Sequence, residues 1–520
     1  MPDEPDDDLL LTGAEIADGT GAPLRPGDVL IERGYIRAVE PPGTLPRDRP
    51  TRDLAGLVLA PGFIDVHSHA DNAPLLAEDD TTKIRQGVTT EVVGNCGFSL
   101  APRTSAHAET LASFLRRLFP PIEFRWSDFA ELFSVLDDAG HVTNYCPLVG
   151  HGTLRIAALG MSDETADPAA MRVMREALEE GMAAGAFGLS SGLIYPPALS
   201  SSTEELRSLA EVLGGDGLYA THMRDEGAGL LDSIDEALRI GVTAGRTHIS
   251  HLKASGQQNW GKIPAALERL RTARETGQPV CHDVYPYTAS STMLVTVLPP
   301  EWLTGDADQL LARLSRRDSP DALAAALGEQ DFSRVLVATT ASHEREGRTI
   351  AEIAEAEGTS GVEALVRVLR DERLQASMIQ FSMHEDDLER ALADERTVIG
   401  SDGLPPGTGG KPHPRLFGTF PRVLGRYARE RGLFDLPEAV RRMTSLPAQQ
   451  FRIPERGVLT PGYRADLVAF DARTITDVGD YTDPVHPPRG VAWVCQSGRT
   501  VIDEGVHLGR RAGRRLTPAA

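Results

Sequence analysis

Apolar runs divide this chain into two kinds of pattern. Residues 8 to about 60 alternate short apolar stretches, LLLTGAEI, GDVLIER and YIRAVE, with turn pairs such as Asp18-Gly19 and Arg33-Gly34. That alternation predicts a small antiparallel β unit. Similar stretches return near the far end, with ADLVAFD at 465–471, GVAWVCQSG at 490–498 and RTVIDEG at 499–505. Two β-rich ends around a long middle predict that the termini join in one sandwich beside the main domain.

Between them the pattern becomes strand, loop and helix, repeated. The strand candidates are LVLAPGFIDV (57–66), GVTTEVVGNCG (87–97), TNYCPLVGHG (143–152), GAFGLSSG (185–192), GLYATHMRDEG (217–227), THISHLKASG (247–256), PVCHDVYPY (279–287) and RTVIGSDG (396–403). Helical segments lie between several of them. PAAMRVMREALEEGMAAG is one; SSTEELRSLAEVLG starts on a capping box, with Ser202 bonding forward and Glu205 back. IPAALERLRTARETG ends at Gly277, where a C-cap glycine is expected. Eight strands alternating with helices predict an α/β fold, a (β/α)8 barrel. The stretch from Tyr287 to Arg396 is longer than one crossover needs, and reads as a helix region with an inserted lid. It also contains RVLVATT (334–340), which competes with VIGSDG to be the eighth strand. The expected domains are therefore 1–60 and 448–520 as the two parts of the sandwich, and 61–447 as the barrel, with the lid at about 288–395.

At 520 residues the chain exceeds one ordinary core, which suits a large barrel with a second domain. The formal charge of −22 repels phosphate backbones and anionic membranes, so nucleic acid and lipid are poor partners. Cys96, Cys146, Cys281 and Cys495 lie far apart with no C-x-x-C pair, which points to a reducing cytoplasm and no disulfide framework. The start, MPDEPDDDLLLT, is acidic where a signal peptide is basic, and no apolar run approaches a membrane span of about 18 to 20 residues. The tail GRRAGRRLTPAA reads as a solvated end.

The chemistry gathers at strand ends. His67 and His69 follow the first strand at i and i+2 spacing, so both imidazoles face one side and can reach one metal ion. Cys96 ends the second strand, His222 the fifth, His251 the sixth and Asp402 the eighth. In such barrels the active site lies at the C-terminal ends of the strands. Residues remote in sequence therefore meet there, in numbers that a scatter of 14 histidines does not supply by chance.

These residues carry a family resemblance. APGFIDVHSH, GVTTEVVGNCGFSLAP, GAFGLSSGLIYPP, THMRDEG, SHLKASG, GSDG with HPRLFGTFPRVLGRY, and MTSLPAQ with RGVLTPGYRADLVAFD resemble the amidohydrolase superfamily, and within it the N-acyl-D-amino-acid deacylases, over residues 8–505. The resemblance implies a (β/α)8 barrel with a β-sandwich from both ends, and hydrolysis of the amide of N-acyl-D-amino acids. It makes Cys96, His222 and His251 the ligands of a tight zinc, with His67 and His69 completing a weaker second site that shares Cys96. A thiolate holds zinc strongly and offsets its charge. The resemblance makes Asp402 the general base that takes a proton from the zinc-activated water and returns it to the departing amine.

An N-acyl amino acid also brings an α-carboxylate, which calls for a cation and hydroxyls near the metal. Lys253, on the face of His251, is one candidate; Tyr285, Arg415 and Tyr195 are others, and the resemblance points at Lys253, Tyr285 and Arg415 together. His151, His413 and Met223 read as structural. The expected partner is a small N-acyl amino acid; an oligomer is compatible with the pattern. Two alternatives stand beside this reading. One is an amidohydrolase for a cyclic amide or an isoaspartyl dipeptide, against which the absence of a lysine in GAFGLSSG weighs, since related hydantoinases carry a metal-bridging carboxylated lysine there. The other is a catalytically silent barrel, which has no use for four metal-type histidines, Cys96 and Asp402.

Overall fold

Eight parallel strands close on themselves in the middle of the chain. The first three are Phe63–Asp65, Val88–Val93 and Asn144–Pro147, the last continued as Val149–Gly150; the others are Leu189–Gly192, Gly217–His222, Gly245–Ile249, Val280–Val284 and Thr397–Ile399. Each pairs in parallel with its neighbour. Asp402 N donates to His67 O at 2.7 Å and His69 N to Gly403 O at 3.0 Å, which closes the ring between strands eight and one. The computed structural model describes residues 8–405 and 409–519; the acidic run at 1–7 lies outside them.

RVLVATT is not in the barrel. It forms Val335–Thr339 in a separate three-stranded antiparallel sheet with Ser290–Met293 and Ser377–Gln380. Val335 and Val337 pack on insertion helices while Leu336 and Ala338 pack on Ile379 and Ala289. Covered on both faces, the strand is continuously apolar, which is why it imitates a barrel strand. VIGSDG is the eighth strand.

Local signals explain the helices between. Asp167 caps Pro168–Ala183 by accepting from Ala169 N and Ala170 N. Gly277, at φ +90°, follows Ile263–Glu275 and donates to Arg274 O, as a C-terminal glycine should. The capping box at Ser202 forms only in its forward half: Ser202 Oγ accepts from Glu205 N at 3.2 Å. The Glu205 carboxylate is instead drawn inward, to His151 Nε2 at 2.8 Å and Arg155 Nη1 at 2.6 Å, because the buried guanidinium needs a counter-charge.

The two ends of the chain share one nine-stranded sheet, in which Val58–Pro61 pairs antiparallel with Leu467–Phe470. The two chain ends thus build one domain, as expected, around a continuous sheet that coils back on itself. Its edge strand Tyr35–Glu40 returns to residues 462–465, with Ile36 N donating to Tyr463 O at 2.8 Å and Ala465 N to Gly34 O at 2.9 Å. The coil encloses Leu11, Val29, Ile31, Leu467 and Trp493.

The basic tail is not a free solvated end. Leu516 is buried and joins Ile64, Val92, Leu148, Leu218 and Phe451 in the cluster that fills the barrel below the strand ends. Leu516 N donates to Tyr145 O at 2.7 Å, and Arg515 pairs with Asp137 at 3.0 Å. The tail carries few apolar residues among its arginines, so its composition hides both the buried leucine and the ion pairs, Arg515 with Asp137 and Arg511 with Asp79, that anchor it.

Candidate metal centre and active site

Four strands deliver one sulfur and four imidazoles to a single buried point. Cys96 Sγ lies 3.2 Å from His67 Nε2, 3.8 Å from His222 Nδ1 and 3.8 Å from His251 Nε2. The ligand atoms of His67, His69 and Cys96 lie within 4.8 Å of one another, as do those of Cys96, His222 and His251. Three of the residues here adopt left-handed backbone: Cys96 at φ +54°, His251 at +35° and Asp402 at +50°. Such conformations cost about 1 to 3 kcal/mol each and persist where the surroundings force them.

The Cys96 loop is held by strand four. Gly97 N donates to Ser190 Oγ at 3.1 Å, and Ser190 Oγ donates to Gly94 O. A Cβ on Gly192 would overlap Cys96 O, so strand and loop touch backbone to backbone. Gly192→Ala is therefore expected to displace the thiol and to lower the zinc retained per chain after dialysis, with the far-ultraviolet dichroism unchanged. Full retention of zinc would show that the loop yields without losing its grip.

The electrostatics select Cys96 among the cysteines. Burial pushes the Cys281 thiol up to about 11 and Cys146 higher still. Burial acts on Cys96 too, but the His67 charge and hydrogen bonds from His222, His251 and His67 outweigh it and hold the thiol well below its usual range. Burial also raises Asp402, and is outweighed by the Arg415 guanidinium and the His67 and His69 imidazoles, which keep the carboxyl well below the usual carboxylate range. Asp402 Oδ1 lies 3.3 Å from His69 Nε2 and 3.6 Å from His67 Nε2, and Oδ2 lies 2.9 Å from Arg415 Nη1.

Behind the imidazoles stand carboxylates absent from the sequence reading. Asp283, on strand seven and fully buried, accepts from His67 Nδ1 at 3.2 Å, His248 Nε2 at 2.8 Å and the His251 backbone N–H at 2.9 Å. It thereby turns the other nitrogen of His67 toward Cys96. Glu226 lies 2.8 Å from His251 Nδ1, 3.6 Å from His222 Nε2 and 2.6 Å from Lys253 Nζ, so one carboxylate backs two imidazoles. Beneath them Asp65 accepts from His67 N at 3.1 Å and Ser401 N at 2.8 Å, and is neutralised by buried Lys83 at 3.4 Å. A carboxylate inside an otherwise apolar strand, as in PVCHDV, is the signal that could have flagged Asp283; Glu226 stands in the THMRDEG run already singled out.

Tyr285, Lys253 and Arg415 come together on the far side of Asp402. The Arg415 guanidinium lies over the Tyr285 ring at 4.6 Å and Lys253 Nζ at 5.9 Å. Both cations stand beside carboxylates, Lys253 at Glu226 and Arg415 at Asp402, but Arg415 Nη1 makes only an ion pair there, and it and the buried Tyr285 hydroxyl have no hydrogen-bond partner. Tyr195 packs its ring at 5.2 Å from His222, and its hydroxyl meets Thr292 Oγ1 at 2.9 Å. His413 is structural, receiving the Arg415 N–H on Nδ1 and bonding Ala289 O through Nε2. A cavity of about 420 Å3 opens on His222, His251 and Asp402.

The donor set fits zinc. A tetrahedral zinc with sulfur at about 2.3 Å and nitrogen at about 2.0 Å has S···N edges of roughly 3.5 Å. The sulfur–nitrogen distances, 3.8 Å to each of His222 and His251 and 3.2 Å to His67, lie close to that edge, and a soft thiolate with neutral imidazoles is the donor chemistry that zinc prefers. Residues 51–284 and 304–502 match the amidohydrolase family. The chain belongs to that family.

Among amidohydrolases it is 39% identical over 517 residues to the D-aminoacylase of Alcaligenes xylosoxydans xylosoxydans, covering 99% of this chain and 98% of that one. It is similar in structure to the N-acyl-D-glutamate deacylase of Bordetella bronchiseptica, solved with zinc and a phosphonate mimic of the tetrahedral intermediate, at TM-score 0.83 and 35% identity, over 98% of this chain and 99% of that one. A D-aminoacylase described as having a binuclear metal centre, with one-metal activation and second-metal attenuation, matches at TM-score 0.83 and 37% identity, over 98% and 100%. The amidohydrolase barrel and its zinc chemistry are thus those of this chain, and no helix among its described residues is long and apolar enough to cross a membrane.

Proposed function

We propose that this amidohydrolase is a zinc-dependent N-acyl-D-amino-acid deacylase, releasing a carboxylate and a free D-amino acid. The observation that carries the reading is the meeting of the Cys96 sulfur with His222 and His251, at 3.8 Å each, beside the Asp402 carboxylate, which lies 3.3 Å from His69 Nε2 and 2.9 Å from Arg415 Nη1. Cys96, His222 and His251 would hold the tight zinc, and His67 and His69 with Cys96 would hold a second, weaker one. When bound, zinc polarises the acyl carbonyl and makes water a stronger acid. Asp402 takes the proton of the attacking water on Oδ1 and passes it to the amine nitrogen as the amide bond breaks. Arg415, 2.9 Å from Oδ2, keeps the other oxygen occupied and the carboxylate aimed.

Lys253, Tyr285 and Arg415 receive the substrate α-carboxylate, with the unpartnered Tyr285 hydroxyl as a donor already in place. Tyr195 lines the same cavity. Lys253→Ala is expected to raise KM by roughly 10- to 100-fold, the worth of a hydrogen bond to a charged group, and to lower kcat much less. An unchanged KM would leave the carboxylate to Tyr285 and Arg415 alone.

The D-aminoacylase and N-acyl-D-glutamate deacylase relatives, similar over nearly the whole chain, support linear N-acyl-D-amino acids as substrates. Against cyclic amides stands strand four, where Ser190 holds the Cys96 loop and no lysine is present in LSSG. The four cysteines, all buried and far apart in sequence, support a cytoplasmic setting. The test is zinc analysis beside amine release from N-acetyl-D-methionine and its L-enantiomer. Release from the D form with bound zinc is expected; no zinc and no release from either would end the reading.

A further inference from the structure

Just before strand two the chain makes a tight 3-10 turn, Ile84–Gln86, with Lys83 at its head. Lys83 and Gln86 are polar, yet both are buried. Lys83 Nζ stands at the seam where strand eight closes on strand one. It lies 3.4 Å from Asp65 Oδ2, 3.3 Å from Ser68 Oγ and 3.5 Å from Glu91 Oε2, and a Cβ on Gly403 would meet it at 3.0 Å. Asp65 accepts the backbone N–H groups of both His67 and Ser401. Ser68, between His67 and His69, donates to Glu91 at 2.6 Å. Burial works against the charge on Lys83, but the Glu91, Asp65 and Asp80 carboxylates outweigh it and hold the amine above its ordinary range.

Gln86 reaches the other way. Its Nε2 donates to Leu416 O at 2.8 Å and its Oε1 accepts from Phe420 N at 3.3 Å. These two groups are four residues apart, the pair that one helical bond joins, and they lie in the helix Arg415–Arg422. The first residue of that helix meets Asp402 Oδ2 at 2.9 Å. Main-chain bonds make the turn one unit, with Gln86 N and Val88 N donating to Lys83 O at 2.9 and 3.2 Å.

We propose that Lys83 and Gln86 are positioning residues that, acting as one turn, set the Asp402 carboxylate between the His67 and His69 imidazoles and the Arg415 guanidinium. The inference rests on the reading of Asp402 as the base. Its chain neighbours Ser401 and Gly403 lie against Asp65 and Lys83, and its ion-pair partner rides on the helix that Gln86 grips. A reacting group displaced by about 1 Å loses roughly 100-fold in rate, so a turn set back from the reacting atoms governs turnover. The tight zinc is anchored elsewhere. Ser190 holds the Cys96 loop, Asp283 the His251 N–H, and Glu226 stands behind the His222 and His251 rings.

Two substitutions carry distinct signatures on the zinc-loaded enzyme with N-acetyl-D-methionine. Lys83→Met removes the charge and keeps much of the volume. It is expected to lower kcat about 10- to 100-fold, with KM within about twofold of wild type because Arg415 stays in place. Gln86→Met leaves Leu416 O and Phe420 N to bond each other and frees the helix from the turn. It is expected to lower kcat about tenfold or more and to raise KM as well, since Arg415 moves with the helix. Both variants should keep the tight zinc through dialysis. Amide exchange of the zinc-loaded, substrate-free enzyme gives a readout apart from turnover. In Lys83→Met, exchange should rise about tenfold or more over 399–404, with 217–222 and 245–251 unchanged. Wild-type kcat in both folded variants would overturn the proposal, as would exchange raised evenly around the barrel, which marks general loosening. If Lys83→Met does not fold, Gln86→Met, which buries no uncompensated charge, decides alone, and wild-type kcat there would overturn the clamp. Absence of hydrolysis by the wild-type enzyme would end the deacylase reading, whereas the exchange pattern tests the clamp by itself.

Discussion

Asp402→Asn is expected to leave the zinc content unchanged and to lower kcat by roughly 10²- to 10⁴-fold, the usual worth of a general base. The substitution is chosen for what it preserves. Asp402 sits at φ +50°, where most side chains are strained and asparagine is among the best tolerated. Its backbone N–H bond to His67 O, at 2.7 Å, closes the barrel between strands eight and one and does not involve the carboxyl. The amide oxygen can still face Arg415. What is lost is an oxygen able to accept a proton beside His67 and His69. Rates near wild type, with stoichiometric zinc, would remove Asp402 from the proton path. A fall in rate accompanied by loss of zinc would instead make it a ligand.

The second large effect is expected at the sulfur. Cys96→Ser should reduce zinc affinity beyond the roughly 10- to 100-fold that loss of a ligand's outer partner costs, read by chelator competition and by zinc per chain after dialysis. The hydroxyl fills the volume and tolerates the same backbone, but stays protonated near neutrality and offers a hard, neutral donor in place of a thiolate. Four imidazoles cannot replace the charge, because neutral imidazole brings none. Cys96 also lies within ligand range of both histidine groups, so the substitution should empty the tight and the weaker site together. Retention of a full zinc complement would mean that the imidazoles suffice and that the sulfur has another purpose.

Much of this was legible from residues alone because a buried parallel strand is continuously apolar, and a reactive side chain at its end interrupts that run visibly. His67, His69, Cys96, His222, His251 and Asp402 each stand at such an interruption, and the structure brings them to one point. Asp283 was missed because it lies inside its strand, where a carboxylate is meaningful only once three donors are known to surround it. Lys83 and Asp65 were missed for the same reason, since nothing in the spacing says that a lysine 18 residues on will turn inward to meet that carboxylate. RVLVATT was ambiguous because any strand covered on both faces has the same composition, in a barrel or in an inserted sheet. The tail reads as solvated because composition does not tell a buried leucine or a paired arginine from an exposed one.

The pairing of Val58–Pro61 with Leu467–Phe470 sets a timetable for synthesis. Pro61 and Leu467 face each other across these two strands in the finished protein, and Gly62 N donates to Asp466 O beside them, yet some four hundred residues separate them in the chain. At a translation speed of about 5 to 20 residues per second, the early strand waits roughly 20 to 80 seconds for its partner to leave the ribosome. During that interval its apolar edge is open to other nascent chains. Production of this protein should therefore respond to slower growth temperature and to chaperone supply more strongly than its finished stability alone would suggest.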